Sequence, residues 1–353
     1  MPLGYPLRSF LTTPFVLTIF FLSGCCGLVY ESLWARYLTE LTGGTALSQL
    51  IVLMVFMGGL SLGAMLVGRL VDKQMGRGLV VYGWLEIGIG LYAIIFPYLH
   101  SKLSHFYFSA GANLGSGTAG LLGLKILLAF LLIIMPSVAM GGTLPAVSRY
   151  LTRSFEGLRG NIALLYGINS LGAVVGILAG GFFLVYHYGM TVSMQYTGAL
   201  NLAIGLAALV YARFAAPAKI ASTAPGLSKD QCPEEKFDCI TYEPAEIRRA
   251  LLTAGLAGFA AMALQMAWIR YYVIFLGATH SSFTIVVAAF IFGIGLGSLL
   301  VKTKIVGRIP LPRFLTGLLV FITTILWVQL FLYARLPFEI SRLLGVIAPT
   351  PFA

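Results

Sequence analysis

Gly24-Cys-Cys-Gly-Leu-Val-Tyr-Glu-Ser-Leu-Trp34-Ala-Arg36-Tyr37 and Gly258-Phe-Ala-Ala-Met-Ala-Leu-Gln-Met-Ala-Trp268-Ile-Arg270-Tyr271 lie 234 residues apart and align without a gap. At the same offset Gly43 meets Gly277, Thr45 meets Thr279, Ser48 meets Ser282, Phe56 meets Phe290, and Gly59 and Gly63 meet Gly293 and Gly297. Two apolar helices share leucine and alanine by chance. They do not share a tryptophan, an arginine and a set of glycines in one register. The chain carries an internal duplication, and its fold is read from what one copy is.

Each copy contains two long apolar runs. A helix needs about 20 apolar residues to cross the hydrocarbon layer of a bilayer. Runs of that kind occupy 14–35, 47–68, 79–99, 119–144, 161–186, 191–212, 250–276, 280–301 and 313–334. Nine spans follow, six before a polar stretch at 213–249 and three after it. The expected organisation is a first six-helix half (1–212), a cytosolic linker (213–249) and an incomplete second half (250–353). At the repeat offset Ala353 falls on Ala119, where the fourth helix begins, so the chain reads as a piece of a longer protein.

Composition agrees. Of 353 residues, 59% are hydrophobic and only 10% charged, where a soluble domain carries about 25%. The net charge of +11 sits in short gaps between the apolar runs, so it sets orientation and is not a nucleic-acid footprint. With the N-terminus in the cytosol, seventeen Lys and Arg lie on the cytosolic side and five on the other. The positive-inside rule therefore predicts a multi-pass inner-membrane protein with a cytosolic N-terminus and the lipid bilayer as its partner. Four cysteines, two of them adjacent (Cys25, Cys26), give neither a disulfide framework nor a metal site. Gly293-Ile-Gly295-Leu-Gly297 lies inside an apolar helix and is not a nucleotide loop. No catalytic constellation and no cofactor site is expected.

The two copies start from the same side of the membrane, so the repeat is parallel. Parallel repeats about an axis along the membrane normal characterise the two halves of the major facilitator fold. The predicted fold is all-α: a polytopic membrane protein with major-facilitator-like helical repeats. The segments 24–36 and 56–63, together with Pro136-Ser-Val-Ala-Met-Gly-Gly-Thr-Leu-Pro145 and Leu165-Tyr-Gly-Ile-Asn169-Ser-Leu-Gly172, resemble the membrane region of fused major facilitator/spermidine synthase proteins. The resemblance implies a transporter-like membrane domain, a small cationic solute such as a polyamine, and a spermidine synthase-like (aminopropyltransferase) domain that lies outside this chain. It also aligns Gly68 to Arg77 with the loop after the second helix of major facilitator transporters, with one extra residue between Asp72 and Gly76. There Asp72, Arg69 and Arg77 form a candidate ionic latch. Charge that merely sets orientation explains them equally well.

Ionisable groups inside a membrane cost about 2.5–3.5 kcal/mol near the midplane, so each needs a reason. Glu31 shares a helix face with Gly24, Gly27 and Ala35, and Glu86 is flanked by Gly83 and Gly90. Both faces are narrow enough to point into a bundle. Glu31, Glu86, Asn169 and Gln265 are the candidate substrate-binding residues. The competing reading pairs Glu31 with Arg36, Arg270 or Lys125 and makes Asn169 and Gln265 interhelical hydrogen-bond formers. Gly59, Gly63, Gly293 and Gly297 are expected to let helix backbones approach. Trp34 and Trp268 are expected to anchor at the membrane interface, and Pro136, Pro145 and Gly141-Gly142 to break the end of the fourth helix.

Overall fold

The computed structural model describes residues 5–73, 77–114, 119–151, 155–214, 243–276, 279–301 and 311–332, with isolated residues after them. Its elements are α1 (Tyr5–Thr42), α2 (Thr45–Lys73), α3 (Gly78–Leu114), α4 (Ala119–Gly141), α5 (Thr143–Leu151), α6 (Phe155–Leu178), a π-helical segment (Ala179–Leu184), α7 (Val185–Phe214), α8 (Pro244–Leu276), α9 (Thr279–Val301) and α10 (Leu311–Leu332). Most of the expected linker, with Cys232 and Cys239, lies outside the described residues.

Eight continuous helices among the described residues are long and apolar enough to cross a membrane. The protein is a polytopic helical membrane protein. The fifth run, Ile162–Phe214, is 53 residues long and would reach about 80 Å if straight. It is not straight. Gly189 adopts φ 72° and ψ 176°, a left-handed corner that only glycine takes without strain, and α7 leaves it as a separate rod. The eight helices therefore contain the nine apolar runs expected from the sequence.

The core is built around α1, which packs against α2, α6 and α7. Trp34 lies at its centre, 2% exposed, with its ring beside Tyr30, Phe56 and Phe96. This corrects the expectation that Trp34 anchors at the interface. The helix runs on to Thr42, with Tyr37, Leu38 and Leu41 buried, so the indole lies two turns inside its end. Trp268 is half-buried against Tyr271 and Tyr272.

Glycine sets the tight crossings. Added side chains at Gly59 and Gly63 of α2 would collide with Ser137 and Val138 of α4. Gly172 and Gly176 of α6 meet the Phe21 and Cys25 carbonyls of α1 in the same way. The predicted break falls at Gly142. There α4 ends and α5 begins, and Gly141 and Gly142 press on Leu60 and Val67 of α2. Across the seam between α6 and α9 the close glycines are Gly167 and Gly295, with Gly167 set against Leu299 and Gly295 against Ser170. A Cβ on Gly293 or Gly297 would meet no atom within 4 Å. The packing glycine of that run is the middle one. α8 packs on α9, and α10 is exposed along most of its length.

Candidate functional site

Glu86 is wholly buried on α3, and its carboxylate receives two donors. Ser23 Oγ of α1 donates to Oε1 at 2.5 Å, and Asn201 Nδ2 of α7 donates to Oε2 at 2.5 Å. The Tyr82 hydroxyl, one turn earlier, donates to the Ile19 carbonyl at 3.2 Å. Cys26 and Tyr30 extend this polar patch along α1. The Cys26 thiol donates to the Thr197 carbonyl at 3.9 Å, and the Tyr30 hydroxyl is buried without a partner.

The local sequence explains how three helices come this close. Gly83 and Gly90 bracket Glu86 on α3, and Gly198 and Gly205 bracket Asn201 on α7 with the same spacing. A Cβ on Gly83 would sit 3.0 Å from the Gly205 carbonyl, and one on Gly90 would sit 2.7 Å from the Gly198 carbonyl. The two antiparallel rods touch backbone to backbone on either side of the Glu86–Asn201 bond. The expectation for Glu86 rested on its own two glycines. Asn201 was missed although it carries the same signature, and Ser23 and Tyr82 have none of their own.

Glu31 lies elsewhere on α1. It is 1% exposed, and its Oε2 has no hydrogen-bond partner. Of the three basic residues weighed as its partner, Arg36 donates to the Gly181 carbonyl of the π segment at 3.2 Å. Lys125 donates to the Thr42 carbonyl at 3.0 Å, at the C-terminal end of α1 where a cation is favoured, and lies over the Tyr107 ring. Arg270 is exposed. Leu28, one turn before Glu31, belongs to a cluster with Ala173 and Ile177 of α6, Ile269 of α8 and Phe283 of α9. Glu31 therefore stands beside the seam where α1, α6, α8 and α9 meet.

The remaining candidates divide. Asn169 Nδ2 donates to the Phe20 carbonyl at 3.0 Å and its backbone presses on Gly24, so it fastens α6 to α1. Gln265 is buried on α8 at 4% exposure, 234 residues after Glu31. Asp72 pairs with Arg149 of α5 at 3.7 Å, while Arg69 and Arg77 are exposed. The pair's side chains are 72% and 35% exposed, so it contributes about 0–1 kcal/mol.

Comparison with protein-family models, with curated proteins and with solved structures found no match to this chain.

Proposed function

We propose that this chain is the membrane part of a solute-translocating protein of major facilitator type. It resembles the membrane region of the fused major facilitator/spermidine synthase proteins. In this reading it moves a small cationic solute such as a polyamine across the inner membrane by alternating access between the two halves. The supporting observation is acidity without basic partners. Glu31 and Glu86 are both buried in an apolar bundle, and the salt bridge found among the described residues lies elsewhere, between Asp72 and Arg149. Carboxyl groups at that depth are costly, and they persist where a cation or a proton visits them.

The test is uptake of radiolabelled putrescine into vesicles reconstituted with the full chain. Glu31→Gln is expected to lower the initial rate by about tenfold, the scale of one lost charge-assisted hydrogen bond, at unchanged expression. A wild-type rate equal to that of protein-free vesicles would refute transport.

One observation favours a second reading. Each oxygen of Glu86 accepts a hydrogen bond, from Ser23 and from Asn201, which supports an interior of the first bundle that serves as scaffold. On that reading the membrane region is an anchor or regulatory platform for a spermidine synthase-like domain. It predicts no flux, and an aminopropyltransferase activity that depends on membrane attachment. Equal activity of the detached soluble domain would count against the regulatory role.

A further inference from the structure

The longest apolar run, Ile162–Phe214, turns at Gly189. Each arm carries about 25 residues and, at about 1.5 Å apiece, exceeds the hydrocarbon layer of about 30 Å. Both arms pack on α1, so each crosses the layer beside it and the corner between them comes out at one membrane surface. Between Arg159 and Arg213 the sequence has no Asp, Glu, Lys or Arg. The corner therefore meets that surface without an ionic group.

What it presents instead is aromatic. Tyr186 is 83% exposed, and Phe183, His187, Tyr188 and Tyr196 are exposed beside it. Their rings form one continuous patch. Tyr186 meets His187 at 5.0 Å between centroids, His187 meets Phe183 at 4.3 Å, Phe183 meets Tyr188 at 6.4 Å, and Tyr188 meets Tyr196 at 5.6 Å. The last of these contacts spans the corner. Tyr196 lies about 10 Å along α7, and its side chain leans toward the start of its helix, which here is toward the surface. Such a patch suits neither bulk water, which the rings avoid, nor hydrocarbon, which leaves the hydroxyl groups unpaired. A layer that is apolar below and polar above satisfies both ends of a tyrosine. Trp34, expected to anchor at the interface, is buried in the core, and this corner is where exposed aromatic rings gather in its place.

We infer that the aromatic corner at Gly189 is the protein's docking surface for phospholipid headgroups. The hydroxyl groups of Tyr186, Tyr188 and Tyr196 donate to phosphate and ester oxygens, while the rings rest on the upper acyl chains. Because the patch carries no Asp, Glu, Lys or Arg, the contact is indifferent to the charge of the lipid and to salt, unlike one made by surface charges. It fixes the depth of α6 and α7 in the bilayer whether or not the chain moves a solute.

The experiment places a nitroxide spin label on the full chain in phosphatidylcholine nanodiscs, in a background lacking Cys25, Cys26, Cys232 and Cys239. Labels at Tyr186→Cys and Leu200→Cys are compared by their relaxation with oxygen, which partitions into lipid, and with a water-soluble nickel chelate. Leu200 is exposed on α7, about 16 Å from the corner and so near the bilayer midplane. The Tyr186 label is expected in the headgroup layer, about 5–8 Å thick on each side, and the Leu200 label in hydrocarbon. Added phosphatidylglycerol or high salt should leave the Tyr186 depth unchanged. Tyr188→Leu with Tyr196→Leu should draw that label inward, read as a higher ratio of oxygen to nickel relaxation. A Tyr186 label in hydrocarbon or in bulk water would overturn the inference, as would a depth that moves with lipid charge or one that the leucine variants leave in place. A label shielded from both relaxants, or coupled to the label of a second copy, would overturn it too, because protein and not lipid would then cover the patch.

Discussion

Asn201 donates from Nδ2 to the Glu86 carboxylate at 2.5 Å, while its own Oδ1 is buried without a partner. Replacing it removes a donor from a carboxyl group that water does not reach. Interhelical hydrogen bonds in membrane proteins are worth about 0.6–1.7 kcal/mol, and Asn201→Ala should destabilise the protein by that order. Asn201→Asp should cost more, since it sets a second carboxyl group against the first. Thermal melting in detergent measures both, and equal melting of Asp and Ala variants would show that the Glu86 contact is not what stabilises the crossing. At this scale the sequence carried half of the pair. Gly83 and Gly90 reveal that Glu86 faces a neighbour, but a glycine pattern does not say which helix the neighbour is. Trp34 was misread for a related reason. An indole near the end of an apolar run suits an interface or a core equally well, and only the aromatic rings of α2 and α3 decide between them.

Helix pairs depend on positions where no side chain fits. Gly63 is the strictest on α2, for a Cβ there would fall on the Val138 carbonyl, which is backbone and cannot turn aside. Gly63→Leu should push α2 off α4 and cost about 1–3 kcal/mol or more, the range for overpacked interiors. The aligned change Gly297→Leu meets open space and should be nearly silent. A melting comparison of the two variants reads this difference directly, and similar losses in both would contradict it. The apolar runs were legible because lipid demands length and hydropathy from every crossing helix. The break at Gly142 was legible from Pro136, Pro145 and the paired glycines. The corner at Gly189 and the π segment before it were not. No proline marks them, and Gly180-Gly181 reads equally well as packing; in the structure a Cβ on Gly181 would crowd Thr284 of α9.

Across the whole molecule, the parallel-repeat reading predicts that both copies thread the bilayer in the same direction. Glu40 and Ile274 occupy equivalent positions at the 234-residue offset, and both are exposed. In a background lacking Cys25, Cys26, Cys232 and Cys239, Glu40→Cys and Ile274→Cys should both react with a membrane-impermeant maleimide added to intact cells. Arg77→Cys, exposed at the start of α3, should react only after permeabilisation. Protection of one member of the first pair would end the parallel arrangement. The corner at Gly189 has a consequence for how the protein is made. It folds the α6–α7 run back so that both rods grip α1, and the polar groups of α1 find their partners there. Phe20 is bonded by Asn169, Arg36 reaches Gly181, Tyr37 meets Thr191, and Cys26 reaches Thr197, across sequence separations of 145 to 171 residues. At about 5–20 residues per second of synthesis, α1 waits roughly 7–35 s before those residues exist. During that interval Ser23 can already meet Glu86 of α3, but Cys26, Arg36 and Tyr37 lack these partners, so α1 is held by α2, α3 and α4 alone until the hairpin closes.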